Sequence, residues 1–303
     1  MARAAHVGLG SDSATWKGAM ELYYDDKVEA AFELVESSSG AYGGSALSTY
    51  RLIEGEARTR ADSERLNLAP TLEFEWVPHE VPHHVAVGEV ILNAASSSSR
   101  RLQWDRHESV LATILVAEAD ADWHEARYGY CVDKRPYDKI CLPHVSSHDP
   151  AELWRVTAHE FAHVVVLNTA QKLAPHWLDE GIACLMEGRN AARAAERLKQ
   201  RQAWRTPTQM GGAFDVDRRD KSNMGGVGAA YDQATVLVAY LHSLSGDEGI
   251  VNVLKAFTDH SRWTDFVTLL ASRDPVDVAL NQVHGFGQDR LFAQAEAWEG
   301  NSK

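Results

Sequence analysis

Cysteine is scarce in this chain, with three residues among 303. An odd, small number does not make a disulfide framework. Cys131, Cys141 and Cys184 are nowhere at CxxC spacing, so a cysteine-built zinc ribbon is excluded as well. Long apolar runs are missing: nothing approaches the roughly 18 uninterrupted apolar residues of a membrane span. The start, Met1-Ala2-Arg3-Ala4-Ala5-His6, leads into Gly, Ser and Asp rather than an apolar stretch. It does not read as a signal peptide, and a cytoplasmic location is the expectation. Positive charge is in deficit, with 30 Lys and Arg against 43 Asp and Glu and a net charge of -13. Such a surface repels phosphates and anionic lipid, so neither nucleic acid nor membrane is an expected partner. Gly211-Gly212 and Gly225-Gly226 are followed by no Lys-Ser, and no GxSxG elbow occurs, which removes the phosphate-loop and serine-hydrolase readings. No fixed-period repeat is present.

What is present is an ordinary globular composition, 45% hydrophobic and 24% charged, long enough for one large domain or two. Apolar residues at three- and four-residue steps predict a helix over 14–39, stopped by Ser37-Ser38-Ser39-Gly40, and a second helix over 45–60. Leu72 to Val77 alternates like a strand. A helix is expected over 84–97, ending in the serine run Ser96 to Ser99, which reads as a linker or exposed loop. Leu111 to Val116 is β-prone, and Tyr128 to Val132 and Lys139 to Leu142 read as two strands joined by a turn. After Pro150 the pattern is helical, near 150–169, 175–187, 189–203, 228–245, 247–258, 262–272, 275–283 and 287–299. Residues 204–227 read as a long loop. A few strands followed by many helices predict an α+β fold. His79, His83 and His84, clustered beside Pro78 and Pro82, read as a polar loop. The basic stretch Arg189 to Arg201 reads as a solvated helix face.

The chemistry concentrates in His159-Glu160-Phe161-Ala162-His163. Glu152 to Leu167 contains no Pro or Gly, so a helix is expected there. It sets His159 and His163 one turn apart on one face, where both imidazoles reach one metal ion. Glu160 lies beside that face, within reach of a water on the ion. This is the HExxH pattern of two zinc ligands and a general base. Zinc lowers the pKa of its water to about 7. A hydrolytic zinc needs a third protein ligand and one open position.

Downstream stands Trp177-Leu178-Asp179-Glu180-Gly181-Ile182-Ala183. HExxH followed by a WLxEGxA segment resembles the gluzincin zinc metallopeptidases, the peptidase MA-like families. The resemblance implies that Glu180 is the third ligand, completing a His159, His163, Glu180 site for one Zn2+ per chain. It implies a zincin-like catalytic domain over 105–303, with a small mixed β-sheet, an active-site helix, a glutamate helix and a helical C-terminal part. Residues 1–104 form a mainly helical N-terminal region outside it. Tyr231-Asp232-Gln233 through Tyr240-Leu241 is similar to a further motif of these families. It points to Tyr231 as the hydrogen-bond donor to the oxyanion, with Tyr240 and His242 as alternatives. In such domains an edge strand antiparallel to its sheet flanks the substrate cleft, and Tyr128 to Val132 and Lys139 to Leu142 are the candidates. The implied activity is hydrolysis of a peptide or protein substrate. No GxMEN-type grip for a free amino terminus is present, which favours an endopeptidase over an aminopeptidase. The alternative is a binding or regulatory protein on the same scaffold. One departure stands out: where many relatives carry an acidic residue four positions after the third ligand, this chain has Cys184. Asp179, Glu187 or a backbone carbonyl then has to orient the ligating histidines.

Overall fold

The computed structural model describes residues 13–37, 45–105, 108–116, 129–214, 224–261 and 274–298. It is a mixed α+β structure. The chain forms two compact units, Met1–Ser96 with Arg106–Glu160, and Ser97–Asp105 with Phe161–Lys303. Two of the boundaries, Ser96/Ser97 and Glu160/Phe161, fall inside helices.

The first unit opens with helices α1 (Ser13–Tyr24), α2 (Val28–Ser37) and α3 (Ser45–Ala61). The single helix expected over 14–39 is therefore two. Asp26 takes a left-handed φ of 59° and ends the first one. Arg60 holds it there, donating from Nη1 to the Asp26 carbonyl at 2.7 Å and from Nη2 to its carboxylate at 2.8 Å. Strands β1 (Glu64–Ala69) and β2 (Leu72–Trp76) form a hairpin, and β1 is a strand the sequence pattern did not announce. Its side chains are mostly exposed, so it lacks the alternation that marks a half-buried strand. Helix α4 spans His84–Arg101. The serine run is thus not a linker: Ser96 to Ser99 are helical, and Ser98 and Ser99 are buried.

Strands β3 (Val110–Ile114), β4 (Tyr130–Asp133) and β5 (Asp138–Leu142) complete a sheet of order β1-β2-β3-β5-β4. β2, β3 and β5 run parallel, while β4 is antiparallel to β5 and lies at the edge. Of the two strands considered for the cleft, β4 is at the edge and β5 is interior. Tyr128 lies outside the described residues.

A buried charge network ties α3 to the sheet. Glu56 accepts from Lys134 Nζ at 2.6 Å and from Tyr130 at 3.2 Å, bonds Tyr23, and lies 2.9 Å from Lys139 Nζ. Glu75 accepts from Thr113 at 2.8 Å and Lys139 at 3.3 Å. Burial alone would raise the Glu56 carboxyl. The two ammonium groups and the Lys134 and Tyr23 hydrogen bonds overcome it and hold Glu56 far below the usual carboxylate range.

Helix α5 (Pro150–Thr169) follows a 3₁₀ turn, His144–His148. Asp149 starts it, its carboxylate accepting from the backbone N–H of Ala151 at 2.9 Å and Glu152 at 3.3 Å. Pro150 fits the first turn, where its missing N–H costs nothing. The second unit continues with α6 (His176–Met186), α7 (Ala191–Arg201), a short α8 (Pro207–Gly211) inside the expected loop, and α9 (Met224–Ser261). α8 exists because Thr206 and Gln209 form a capping box ahead of Pro207. α9 bends at Gly246, whose φ of 65° is non-helical, close to the break expected between 245 and 247. Helices α10 (Pro275–His284) and α11 (Gln288–Ala297) close the described chain. The helix expected over 262–272 lies outside the described residues. Among those described, no helix is long and apolar enough to cross a membrane.

Candidate metal centre

α5 is apolar nearly all round: Leu153, Val156, Phe161, Ala162, Val164, Val165 and Val166 are all buried. Such a helix sits in the interior rather than on a solvated surface. Yet it carries Glu160 at 6% exposure and His163 at 4%. α6 is the same, with Asp179 and Glu180 each 7% exposed among buried Trp177, Leu178, Ile182 and Ala183. Burying carboxylates and imidazoles is unfavourable unless they are paired or hold a metal. Glu180 is therefore no solvated helix residue.

The donors converge. One ligand atom each from His159, His163 and Glu180 lie within 4.8 Å of one another. His159 and His163 share α5, four residues apart, as their spacing predicts. Within the second unit, His163 Nδ1 lies 2.8 Å from Asp179 Oδ1, and His163 Nε2 lies 3.6 Å from Glu180 Oε2. The geometry assigns the Nδ1 proton to the Asp179 bond and leaves the Nε2 lone pair facing Glu180. Two imidazole nitrogens and one carboxylate oxygen are the donor set of an open hydrolytic zinc site, so these residues fit the ion.

Of the three acceptors considered for the histidines, Asp179 serves His163. Around His159 a second group gathers, in which one atom each of His159, Cys184 and Glu187 lie within 4.8 Å of one another. Arg189 adjoins it, with Nη1 3.7 Å from Cys184 Sγ and 3.9 Å from Glu187 Oε1.

Two glycines permit this arrangement. A Cβ on Gly181 would stand 2.5 Å from the Ala234 carbonyl oxygen and 2.4 Å from a Val238 methyl, so α6 crosses α9 at that residue. A Cβ on Gly129, just before β4, would stand 2.7 Å from Cγ of Glu160 and 2.8 Å from a Val156 methyl. The entry to the edge strand thus passes directly over Glu160.

Tyr231 sits near the start of α9. Its ring meets Phe214 edge-on at 5.5 Å, and Phe214 meets His176 at 6.3 Å. The Arg189 guanidinium lies 5.9 Å from the Tyr231 centroid. Its neighbour Asp232, 2% exposed, accepts from Arg189 at 3.1 Å and from both Nε and Nη2 of Arg197 at 2.8 and 2.5 Å. The basic stretch is therefore only partly a solvated face: two of its arginines anchor α9. Gln233 fixes the chain after α7, donating to the Arg205 carbonyl at 2.7 Å and accepting from its N–H at 2.9 Å. The sequence hinted at Asp232 and Gln233 only through the motif that contains them. Tyr240 donates to Gln294 at 3.3 Å and packs on Trp298, and His242 lies 3.2 Å from Asp247. Trp177 packs edge-on against Phe292 of α11 at 5.7 Å, which ties the second motif to the terminal helix.

Comparison with protein-family models, with curated proteins and with solved structures found no match.

Proposed function

We propose that this protein is a zinc-dependent metallopeptidase of the gluzincin type. The observation that carries the reading is the convergence of His159, His163 and Glu180 from two buried helices, with Asp179 holding the His163 ring. Zinc bound there would supply a Lewis acid that polarises a carbonyl and acidifies water. Glu160 is the general base: it takes a proton from the attacking water and returns it to the leaving amine. Its position under Gly129 keeps the carboxylate beside the start of the edge strand. A peptide adds beside β4, the edge strand of the described sheet, as a further strand, its backbone N–H and C=O groups pairing with the chain. Such pairing grips the middle of a peptide rather than its terminus, in keeping with an endopeptidase. Tyr231 donates its hydroxyl hydrogen to the oxyanion.

Glu160→Gln tests the reading. It keeps the shape and leaves the three donors untouched, so zinc content is expected to hold while peptide hydrolysis falls by 10² to 10⁴-fold, the usual worth of general base catalysis. A fully active variant sinks the mechanism.

A second reading, a binding or regulatory protein, is favoured by the other group around His159. A set built on His159, the Cys184 thiolate and Glu187 would hold the ion through sulfur and draw it away from His163 and Glu180. Cobalt(II) substitution separates the two: a sulfur-to-cobalt charge-transfer band lost in Cys184→Ser supports the centre that uses Cys184, and its absence supports the His163–Glu180 one.

A further inference from the structure

None of the proposed zinc ligands comes from α1–α3, yet these helices hold the strand beside the proposed base. Side chains alternate across a strand, so Tyr130, Val132 and, just past β4, Lys134 leave one face of the sheet. Their cross-strand neighbours on β5, Cys141 and Lys139, share that face. Val132 and Tyr130 pack in the apolar cluster of Tyr23, Val28, Ala31, Ile53 and Ala57. Tyr130 Oη donates to the Glu56 carboxylate at 3.2 Å, Lys134 Nζ donates to it at 2.6 Å, and Lys139 Nζ lies 2.9 Å from it. The turn after β4 is held as well. The Arg135 N–H donates to the Tyr24 carbonyl at 2.8 Å, and Lys134 Nζ lies 3.4 Å from the Asp26 carboxylate.

Gly129, one residue before Tyr130, faces the other way, toward α5, where a Cβ would stand 2.7 Å from Cγ of Glu160. The line Glu56, Tyr130, Gly129, Glu160 thus runs from α3 through the start of β4 to the proposed base, all within the first unit. β4 pairs with β5 at the edge of the described sheet. A strand so placed frays more readily than an interior one. Stability alone does not explain how it is fastened: apolar residues of similar volume often replace a buried ion pair with no loss. What Glu56 between two ammonium groups supplies is a single geometry, because a slip of β4 leaves a charge unpaired in the interior.

We propose that Glu56, acting through Tyr130 and Lys134, is a positioning residue for substrate, locking β4 as a rigid template against which an extended peptide pairs. The inference rests on the peptidase reading and gives α1–α3 a role in it. A template ordered before binding spares the ordering cost on association, and so lowers KM. The four residues of β4 span about 13 Å, and the strand begins over Glu160, so the grip lies to one side of the bond that is cut. A peptide that runs the length of β4 uses the whole template; a tripeptide does not.

Tyr130→Phe tests this, since it deletes one hydroxyl and keeps the ring in its cluster. In the full, zinc-loaded chain it is expected to raise KM for a long peptide about 2 to 10-fold, the worth of one hydrogen bond. The kcat, the zinc content and the KM for a blocked tripeptide are expected to stay unchanged. Hydrogen exchange, read by mass spectrometry, is expected to quicken over Tyr130–Asp133 by a similar factor. Thr113→Val is the control: it deletes a buried hydrogen bond to Glu75 away from β4, and is expected to lower the melting temperature without moving KM. A wild-type KM for the long peptide in Tyr130→Phe, an equal rise for both lengths, or the same rise in Thr113→Val overturns the positioning role. A wild type that cuts neither peptide sinks the peptidase reading instead. The exchange measurement then judges the anchoring of β4 by itself, and unchanged exchange in Tyr130→Phe overturns it.

Discussion

A metal-ligating imidazole has two nitrogens, and the one turned from the ion needs an acceptor to fix the ring. Asp179 is that acceptor for His163, at 2.8 Å and almost out of solvent. Asp179→Ala is expected to keep the fold and weaken zinc binding about 10 to 100-fold, measured by competition against a chelator of known affinity. Wild-type affinity in the variant would show that the bond does not orient the ligand. Glycine matters at the same scale. Gly129→Ala puts a methyl group where Cγ of Glu160 and a Val156 methyl already stand. The base must shift, and a misplacement of about 1 Å costs on the order of 10²-fold in rate. Hydrolysis is expected to fall by that order with zinc content unchanged; full activity would place Glu160 elsewhere than against β4.

At the level of elements, α6 carries the third ligand, and its position depends on how closely it meets α9. Gly181 allows the two backbones to touch at Ala234. Gly181→Val would force the helices apart by more than an ångström and carry Glu180 with them. Loss of bound zinc and a lowered melting temperature are both expected, by metal analysis and thermal unfolding; a variant that melts and binds zinc like the wild type would contradict this packing. The helices α5 and α6 were legible in the sequence. HEFAH lies on an uninterrupted helix because Glu152 to Leu167 contains no breaker. The Ser96 to Ser99 run was misread because serine composition resembles a linker, whereas here tertiary packing buries Ser98 and Ser99 and overrides their weak helix propensity. β1 was missed because its exposed side chains leave no period-two signal. The contact of Gly129 with Glu160 joins residues 31 positions apart and leaves no local pattern to read.

The first unit rests on charges that the sequence shows only as ordinary Lys and Glu. Glu56, Lys134 and Lys139 are fully buried. Removing one partner leaves the others charged in a low dielectric, so Glu56→Ala is expected to cost about 3–5 kcal/mol. The same network sets the response to acid. Glu56, Glu75 and Asp26 are each held below the ordinary carboxylate range: burial would raise them, and the Lys134, Lys139, Arg60 and Arg65 cations with their hydrogen bonds outweigh it. A carboxylate depressed in the folded state stabilises the fold above its unfolded pKa, about 4, and loses that stabilisation as pH falls through the folded value. The melting temperature is expected to be steady from pH 7 to about 5 and to drop steeply below about 4, with Glu56→Gln less stable at pH 7 but less sensitive to acid. A melting temperature that rises on acidification would contradict the network.

The most direct measurement of the central claim is cleavage of a peptide library by the full chain, read by mass spectrometry, for the wild type and Glu160→Gln. The account predicts that the wild type cuts internal bonds, that a chelator stops it and zinc restores it, and that Glu160→Gln holds zinc yet leaves the library intact. Cleavage that survives removal of the metal, or a Glu160→Gln variant as active as the wild type, would contradict it.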